Sequence, residues 1–328
     1  MTAGAKRVAV TGAAGYVGSQ LIRYLDSLDE IDMVLATDIR PLRQQFSGKV
    51  KFVHHDVTEP MANLFRSHGV EAVAHLAFIL NPSRDHERLR SVNVGGSANV
   101  MQSCVDSGVR HLVCLGSTTV YGAHSDNPAL LTEESPLRPV KGFQYSETKA
   151  EVDGLLQDFA ASQSGITVSL LRSCPVVGPN ANNFVAKTFS RSTLVAIRGY
   201  NPQMQFLHED DITSALAHCL LNKVEGVYNV GGGGGIGWEE MARISGKRLV
   251  KLPARLLYGL TGLTWGLHLQ NSSPACGLDF IRYPFLASTE KLEREHGIKA
   301  KHSSRQAWQA FAGSRRLWSQ QVSRRQSP

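Results

Sequence analysis

The chain has 328 residues, 42% hydrophobic and 19% charged, enough for a sizeable core in one large or two medium domains and too apolar for global disorder. Its net charge of +7 sits in the tail: seven basic residues and no acid follow Ile298, whereas the first 298 residues balance at 28 basic and 28 acidic, a pattern without the recognition motif or aromatic–basic interleaving of a specific nucleic-acid binder. Five widely spaced cysteines (Cys104, Cys114, Cys174, Cys219, Cys276) without a Cys-x-x-Cys argue against disulfides and zinc and for a reducing, cytoplasmic setting.

In chain order, the first predicted strand is Lys6–Gly12, with no stretch before it that fits a signal peptide. It runs into "GAAGYVG", Gly12 to Gly18, which opens a helix predicted over Tyr16–Leu28. The G-x-x-G-x-x-G spacing in a strand–turn–helix setting points to a dinucleotide: Gly12 makes the tight turn, Gly15 admits a pyrophosphate at the helix N-terminus, and Gly18 lets the helix approach the sheet. The strand Met33–Asp38 ends in Asp38. Its carboxylate can accept from ribose hydroxyls and repel a 2′-phosphate, so NAD is expected over NADP, a preference softened by Arg40 and Arg43. The strand Val50–Asp56 ends in Asp56, placed to meet the adenine or to cap a turn.

Strands follow at Glu71–Ala77, His111–Ser117 and Thr167–Ser173, separated by helices predicted over about Arg84–Asp106 and over Tyr145–Ser162. The strands are continuously apolar rather than alternating, which suits a parallel sheet covered on both faces. The predicted fold class is α/β, a Rossmann-type doubly wound parallel sheet with a smaller, irregular C-terminal substrate-binding part. The expected division is 1–175 for the dinucleotide-binding domain, with some later elements returning to it, 176–312 for the substrate part, and 313–328 for a disordered basic tail.

Beyond Pro175 the elements shorten. A helix is predicted at His208–Leu221, entered through an acidic cap at Asp210 or Asp211. A strand follows at Gly226–Val230, and Gly231–Gly235 reads as a flexible turn. The apolar stretch Leu256–Leu267, flanked by Arg255 and His268, is too short to span a membrane. It reads as a packed helix or substrate lid, with membrane-surface contact as the lesser alternative. Consecutive side chains diverge in His208–Asp211 and His54–Asp56, so no metal site is expected.

The ordered motifs "TGAAGYVG", "ATD", "HDV", "AHLA", "SVNVGG", "LGSTTVYG", "YSETK", "LLRSCPVVGP" and "FLHEDD" resemble the extended short-chain dehydrogenase/reductase superfamily, the NAD-dependent epimerase/dehydratase group. The resemblance runs from Lys6 to about Gly232. It implies that Ser117, Tyr145 and Lys149 are catalytic, with Tyr145 exchanging a proton with a substrate oxygen that Ser117 orients. Lys149 would hold the nicotinamide ribose and lower the phenol's pKa from about 10. It implies a cofactor lining that adds Ala14, Tyr16, Val17, Ile39, Val57, Leu76, Ala77, Phe78, Asn93, Leu115, Gly116, Cys174, Pro175 and Val176 to the glycines and Asp38. Substrate candidates are Asn81, Thr118, His124, Asn180 and His208. It also implies a homodimer through a four-helix bundle of the two long helices.

Departures from the family pattern narrow the substrate. Thr118 and Thr119 stand where the sugar-nucleotide dehydratases carry an Asp–Glu pair, which argues against water elimination. Pro175 and Met204 replace an Asn and an Arg that grip a diphosphate, which favours a less charged substrate. The expectation is therefore an NAD-dependent oxidoreductase acting on a secondary alcohol or carbonyl of a small or mid-sized organic molecule. A nucleotide-sugar epimerase and a non-catalytic NAD(P)-sensing regulator are the alternatives.

Overall fold

Strands β1 (Arg7–Thr11), β2 (Met33–Asp38), β4 (Ala72–His75), β5 (His111–Ser117) and β6 (Thr167–Ser173) are buried almost throughout. That burial is what their unbroken Val/Leu/Ala runs require. In a computed structural model, which describes residues 6–325, they form a seven-stranded sheet with β3 (Val50–His54) and a late strand, Gly226–Val230. Short strands β7 (Val176–Val177) and β9 (Leu207–His208) pair together, as do β8 (Thr193–Ile197) and β11 (Arg248–Leu252), which makes the late strand β10. The main sheet is wholly parallel in the order β10-β6-β5-β4-β1-β2-β3. The strand order reverses between β1 and β4, the place where such sheets open a crevice at their carboxyl ends. Thr11 lies level with both Thr37 and His75, so β1, β2 and β4 finish together at that crevice.

Helices cover both faces. α1 (Tyr16–Asp26) and α7 (Glu209–Asn222) pack on one side; α2 (Ala62–Ser67), α4 (Gly96–Ser107) and α5 (Gln144–Ser162) pack on the other. The helix expected over Arg84–Asp106 is α3 (His86–Arg90) joined to α4 through one π-helical turn, Ser91–Gly95. The second half adds α6 (Phe184–Phe189), α8 (Trp238–Ser245), α9 (Ala254–Gly266), α10 (Glu290–His296) and α11 (Ser304–Arg325).

Four expectations differ from what is found. The cap of α7 is His208, whose Nδ1 accepts from the Asp210 amide; Asp211 instead turns inward to accept from the amides of Lys301 and His302. The Gly231–Gly235 segment begins as tight packing rather than a flexible turn, because a Cβ on Gly232 would meet the Phe206 carbonyl at 2.4 Å. Helix α9 is packed on one side only: Leu257 is buried and Tyr258 donates to Asp279, but its other leucines are exposed. The tail expected to be disordered from 313 continues as helix to Arg325, and residues 326–328 lie outside the described residues. Buried Ala307, Trp308, Phe311 and Ala312 supply the apolar stripe that anchors α11, and the Arg315 guanidinium donates to the Ala181 carbonyl.

Candidate active site

The turn after β1 works by lacking side chains. Gly12 has φ +68°, and a Cβ there would lie 2.7 Å from the Ala77 nitrogen. A Cβ on Gly18 would lie 2.3 Å from the Gly12 carbonyl oxygen, so only glycine lets α1 start this close to the strand. The first turn of α1 has neither a side-chain cap nor an acid, which leaves its N–H donors available to an anion. Asp38, at the end of β2, is buried and accepts from the Ala14 amide at 3.0 Å and the Arg40 amide at 2.9 Å. A backbone cradle with a carboxylate at its rim fits the diphosphate and ribose of NAD. Asp56 caps its own turn, accepting from the amide and hydroxyl of Thr58.

Along β4 and β5 the site deepens. His75, within the sheet, bonds Thr11 and Ser97 and is held neutral by burial and by the Lys149 charge, its pKa pushed down to about 3. The π turn carries Asn93 inward, where its amide pairs with both backbone groups of Ile79 and so fixes the Leu76–Ile79 rim. Gly96 lets this helix close on Val57, whose side chain a Cβ would meet at 2.7 Å.

Ser117 ends β5 and caps the 3₁₀ turn Thr118–Tyr121, accepting from the Thr119 amide and hydroxyl. Tyr145 and Lys149 lie one turn apart on α5 and reach the carboxyl ends of β4 and β5. Burial raises the Tyr145 phenol above its ordinary value, opposed by a hydrogen bond from Ser117. The Lys149 ammonium is not among the causes of that shift. Lys149 instead donates to the Leu115 carbonyl at 2.7 Å, and its Nζ lies 3.6 Å from the centre of the Phe78 ring. Its pKa falls to about 7 because burial disfavours the ammonium, against weaker support from Cys114 and Asp153. Below it, Asp153 makes a bidentate bond to buried Arg172 at 2.8 Å, and Arg172 also holds the Tyr121 hydroxyl.

Aromatic edges wall the phenol. Phe78 and Phe143 meet Tyr145 with ring centres 5.8 and 6.4 Å away, and Phe280 meets Phe143 at 5.4 Å. Phe143 and Phe280 were not among the sequence-predicted residues. Only their apolar character signals them, since Phe280 comes from a 3₁₀ turn, Ala275–Ile281, 135 residues after Tyr145.

Other predicted residues are placed differently. Asn81 is exposed on the loop after β4. Thr118 is fully buried, so it does not face an open cleft. His124 bonds the Arg138 carbonyl at 2.7 Å. His208 is buried and stacked on His302, ring centres 4.0 Å apart. Asn180 donates to Glu209, which also accepts from the Tyr16 hydroxyl. Burial beside that carboxylate drives the Tyr16 phenol pKa strongly upward. Glu209 thus ties the glycine turn to the second half, a role the sequence signals only as one acid in an acidic cap.

The model of the NAD dependent epimerase/dehydratase family matches residues 8–231. An uncharacterized protein of Mycobacterium tuberculosis is 24% identical over 319 residues, covering 95% of this chain and 85% of that protein. The structure of Thermus thermophilus UDP-glucose 4-epimerase in complex with NAD is similar with a TM-score of 0.73 at 23% identity, covering 94% of this chain and 99% of the other. The dTDP-glucose 4,6-dehydratase DesIV of Streptomyces venezuelae, with NAD and TYD bound, gives the same TM-score and identity, with 95% and 97% covered. The glycine turn, the sheet order and the matched span agree: the chain belongs to the NAD-dependent epimerase/dehydratase family.

Proposed function

We propose that the protein is an NAD-dependent oxidoreductase acting at a secondary alcohol or carbonyl of a small or mid-sized, largely apolar organic substrate. One observation carries this reading: the hydroxyls of Ser117 and Tyr145 adjoin one another beneath a wall formed by Phe78, Phe143 and Phe280. NAD, when bound, supplies the hydride acceptor or donor. Ser117 orients the substrate oxygen, Tyr145 moves a proton to or from it, and Lys149 brings positive charge to the same strand ends. The aromatic wall excludes water and strengthens each of these interactions.

Thr118 and Thr119 form the first turn after Ser117, with no carboxylate to assist water elimination. Pro175 and Met204 stand where a diphosphate would need polar side chains, and Met204 is buried with its backbone paired to Ile236. A second reading, nucleotide-sugar epimerase, is favoured by Arg282. Its guanidinium lies 4.7, 5.5 and 4.9 Å from the ring centres of Tyr200, Tyr258 and Tyr283, and its buried Nε has no hydrogen-bond partner among the described residues. Tyr200 accepts from it at 2.9 Å, and Asp279, bonded to Tyr258, is the nearby carboxylate. Calorimetry separates the two readings. The oxidoreductase reading expects no heat with UDP or dTDP at millimolar concentration, whereas micromolar UDP binding would favour the epimerase.

We also propose a homodimer formed through the outer faces of α3–α4 and α5. Arg90 and Glu151 already join these helices side by side, and Val105 and Leu155 are exposed on them.

A further inference from the structure

A lobe outside the catalytic apparatus combines a bare leucine face with unbalanced positive charge. Along α9 and its C-cap residue, Leu256, Leu260, Leu263 and Leu267 recur at i, i+4, i+7 and i+11 and therefore share one side of the helix. They are 49%, 47%, 58% and 59% exposed, and Leu269, just beyond the helix end, is 72% exposed. No charged residue interrupts the run from Leu256 to Leu267. A surface helix of a globular domain ordinarily turns its apolar stripe to the core; this one turns it outward.

The surroundings are cationic. No Asp or Glu lies between Glu240 and Asp279, a span that holds Arg243, Lys247, Arg248, Lys251 and Arg255. None lies between Asp158 and Glu209, which, apart from core Arg172, holds Lys187, Arg191 and Arg198. The parallel pairing of β8 with β11, and a hydrogen bond from Arg191 to Ser272, bring the two acid-free segments together. Glu240 and Glu239 pair with Arg243 and Lys251, but among the described residues Lys187, Arg191, Arg198, Arg248 and Arg255 form no ion pair.

We propose that this lobe docks on an anionic membrane surface. Helix α9 lies in the plane of the interface with its leucines among the upper acyl chains, while the surrounding Arg and Lys side chains meet lipid phosphates. At 13 residues α9 is too short to span, as interfacial insertion requires. A second copy of the chain is the poorer occupant. The leucine face is on the order of 500 Å², against about 800 Å² per partner in a standard interface. Its cationic surroundings would also meet the same charge on the other copy. The lobe adjoins the cleft: α9 packs on the turn that carries Phe280, and Arg84, from the loop after β4, donates to the carbonyls of Trp265 and Gln270. Docking would therefore hold the cleft beside the lipid surface, and the docking itself is independent of the reaction proposed above.

Flotation of the full chain with phosphatidylcholine vesicles, with and without about 30% phosphatidylglycerol, tests this. The full chain is expected to float with the anionic vesicles only, and less so at high salt. The variant L260Q/L263Q, unchanged in net charge and altered only at exposed positions, is expected to keep its melting temperature and bind at least about tenfold more weakly. Absence of flotation with anionic vesicles would overturn the proposal. Equal flotation of parent and variant would also overturn it, assigning the attraction to charge alone. So would a parent oligomer that the variant turns into a monomer in light scattering, since a second copy would then cover the leucines.

Discussion

Lys149 illustrates how burial at the residue scale sets chemistry. Its ammonium is out of water, bonded to one carbonyl and covered by the Phe78 ring, and among the described residues no carboxylate forms an ion pair with it. Such a group costs stability. Lys149→Met is therefore expected to leave the cofactor-free protein at least as stable at neutral pH while lowering turnover about 100-fold or more. The pH dependence has a definite sign. The folded-state pKa, about 7, lies below the unfolded value, so between that pH and the ordinary lysine value of 10.5 the unfolded chain holds the extra proton. Stability of the parent relative to Lys149→Met should therefore rise from pH 7 to 9.5, by about 2–3 kcal/mol, and be flat below pH 7. Urea melts of both proteins across that range measure it, and a falling difference would contradict the burial of an unpaired lysine. The sequence showed that Tyr145 and Lys149 share a helix face. It did not show where Nζ points, because that depends on Leu115 of β5 and on Phe78 of the loop after β4.

At the scale of elements, α5 is held to the sheet by a buried ion pair rather than by apolar packing alone. Asp153 and Arg172 have side chains 1% and 2% exposed and meet in a two-pronged bond. Asp153→Ala leaves a buried guanidinium without its partner and should cost about 3–5 kcal/mol, read from the urea midpoint. A loss below about 1 kcal/mol would mean that water or another residue serves Arg172. The strands were legible because an unbroken apolar run bounded by turn residues has few alternatives, and Met33–Asp38, His111–Ser117 and Thr167–Ser173 are found as predicted. The π turn that swings Asn93 inward was not, since one inserted residue barely disturbs a helical pattern. Nor was the bond between Tyr16 and Glu209, whose partners are 193 residues apart.

At the scale of the whole molecule, the two halves of the chain share one sheet. From beyond Pro175, α7 and β10 return to cover and complete that sheet. Buried glycines, which look like a loose loop in the sequence, instead let Phe206 and Ser304 cross closely. Likewise, the basic composition of the C-terminus hid the stripe of Ala307, Trp308 and Phe311 that fastens α11. The dimer belongs to this scale. Multi-angle light scattering at working concentration should give twice the chain mass of 35.8 kDa, and a single-chain mass would remove the proposed helix pairing.

The most direct measurement follows nicotinamide absorbance while the protein, with NAD, meets a panel of apolar secondary alcohols, the parent beside Tyr145→Phe. Reduced nicotinamide should accumulate with the parent, and the variant, still folded and still binding NAD, should be slower by about 100-fold or more. Equal rates in the two proteins would contradict proton transfer by Tyr145.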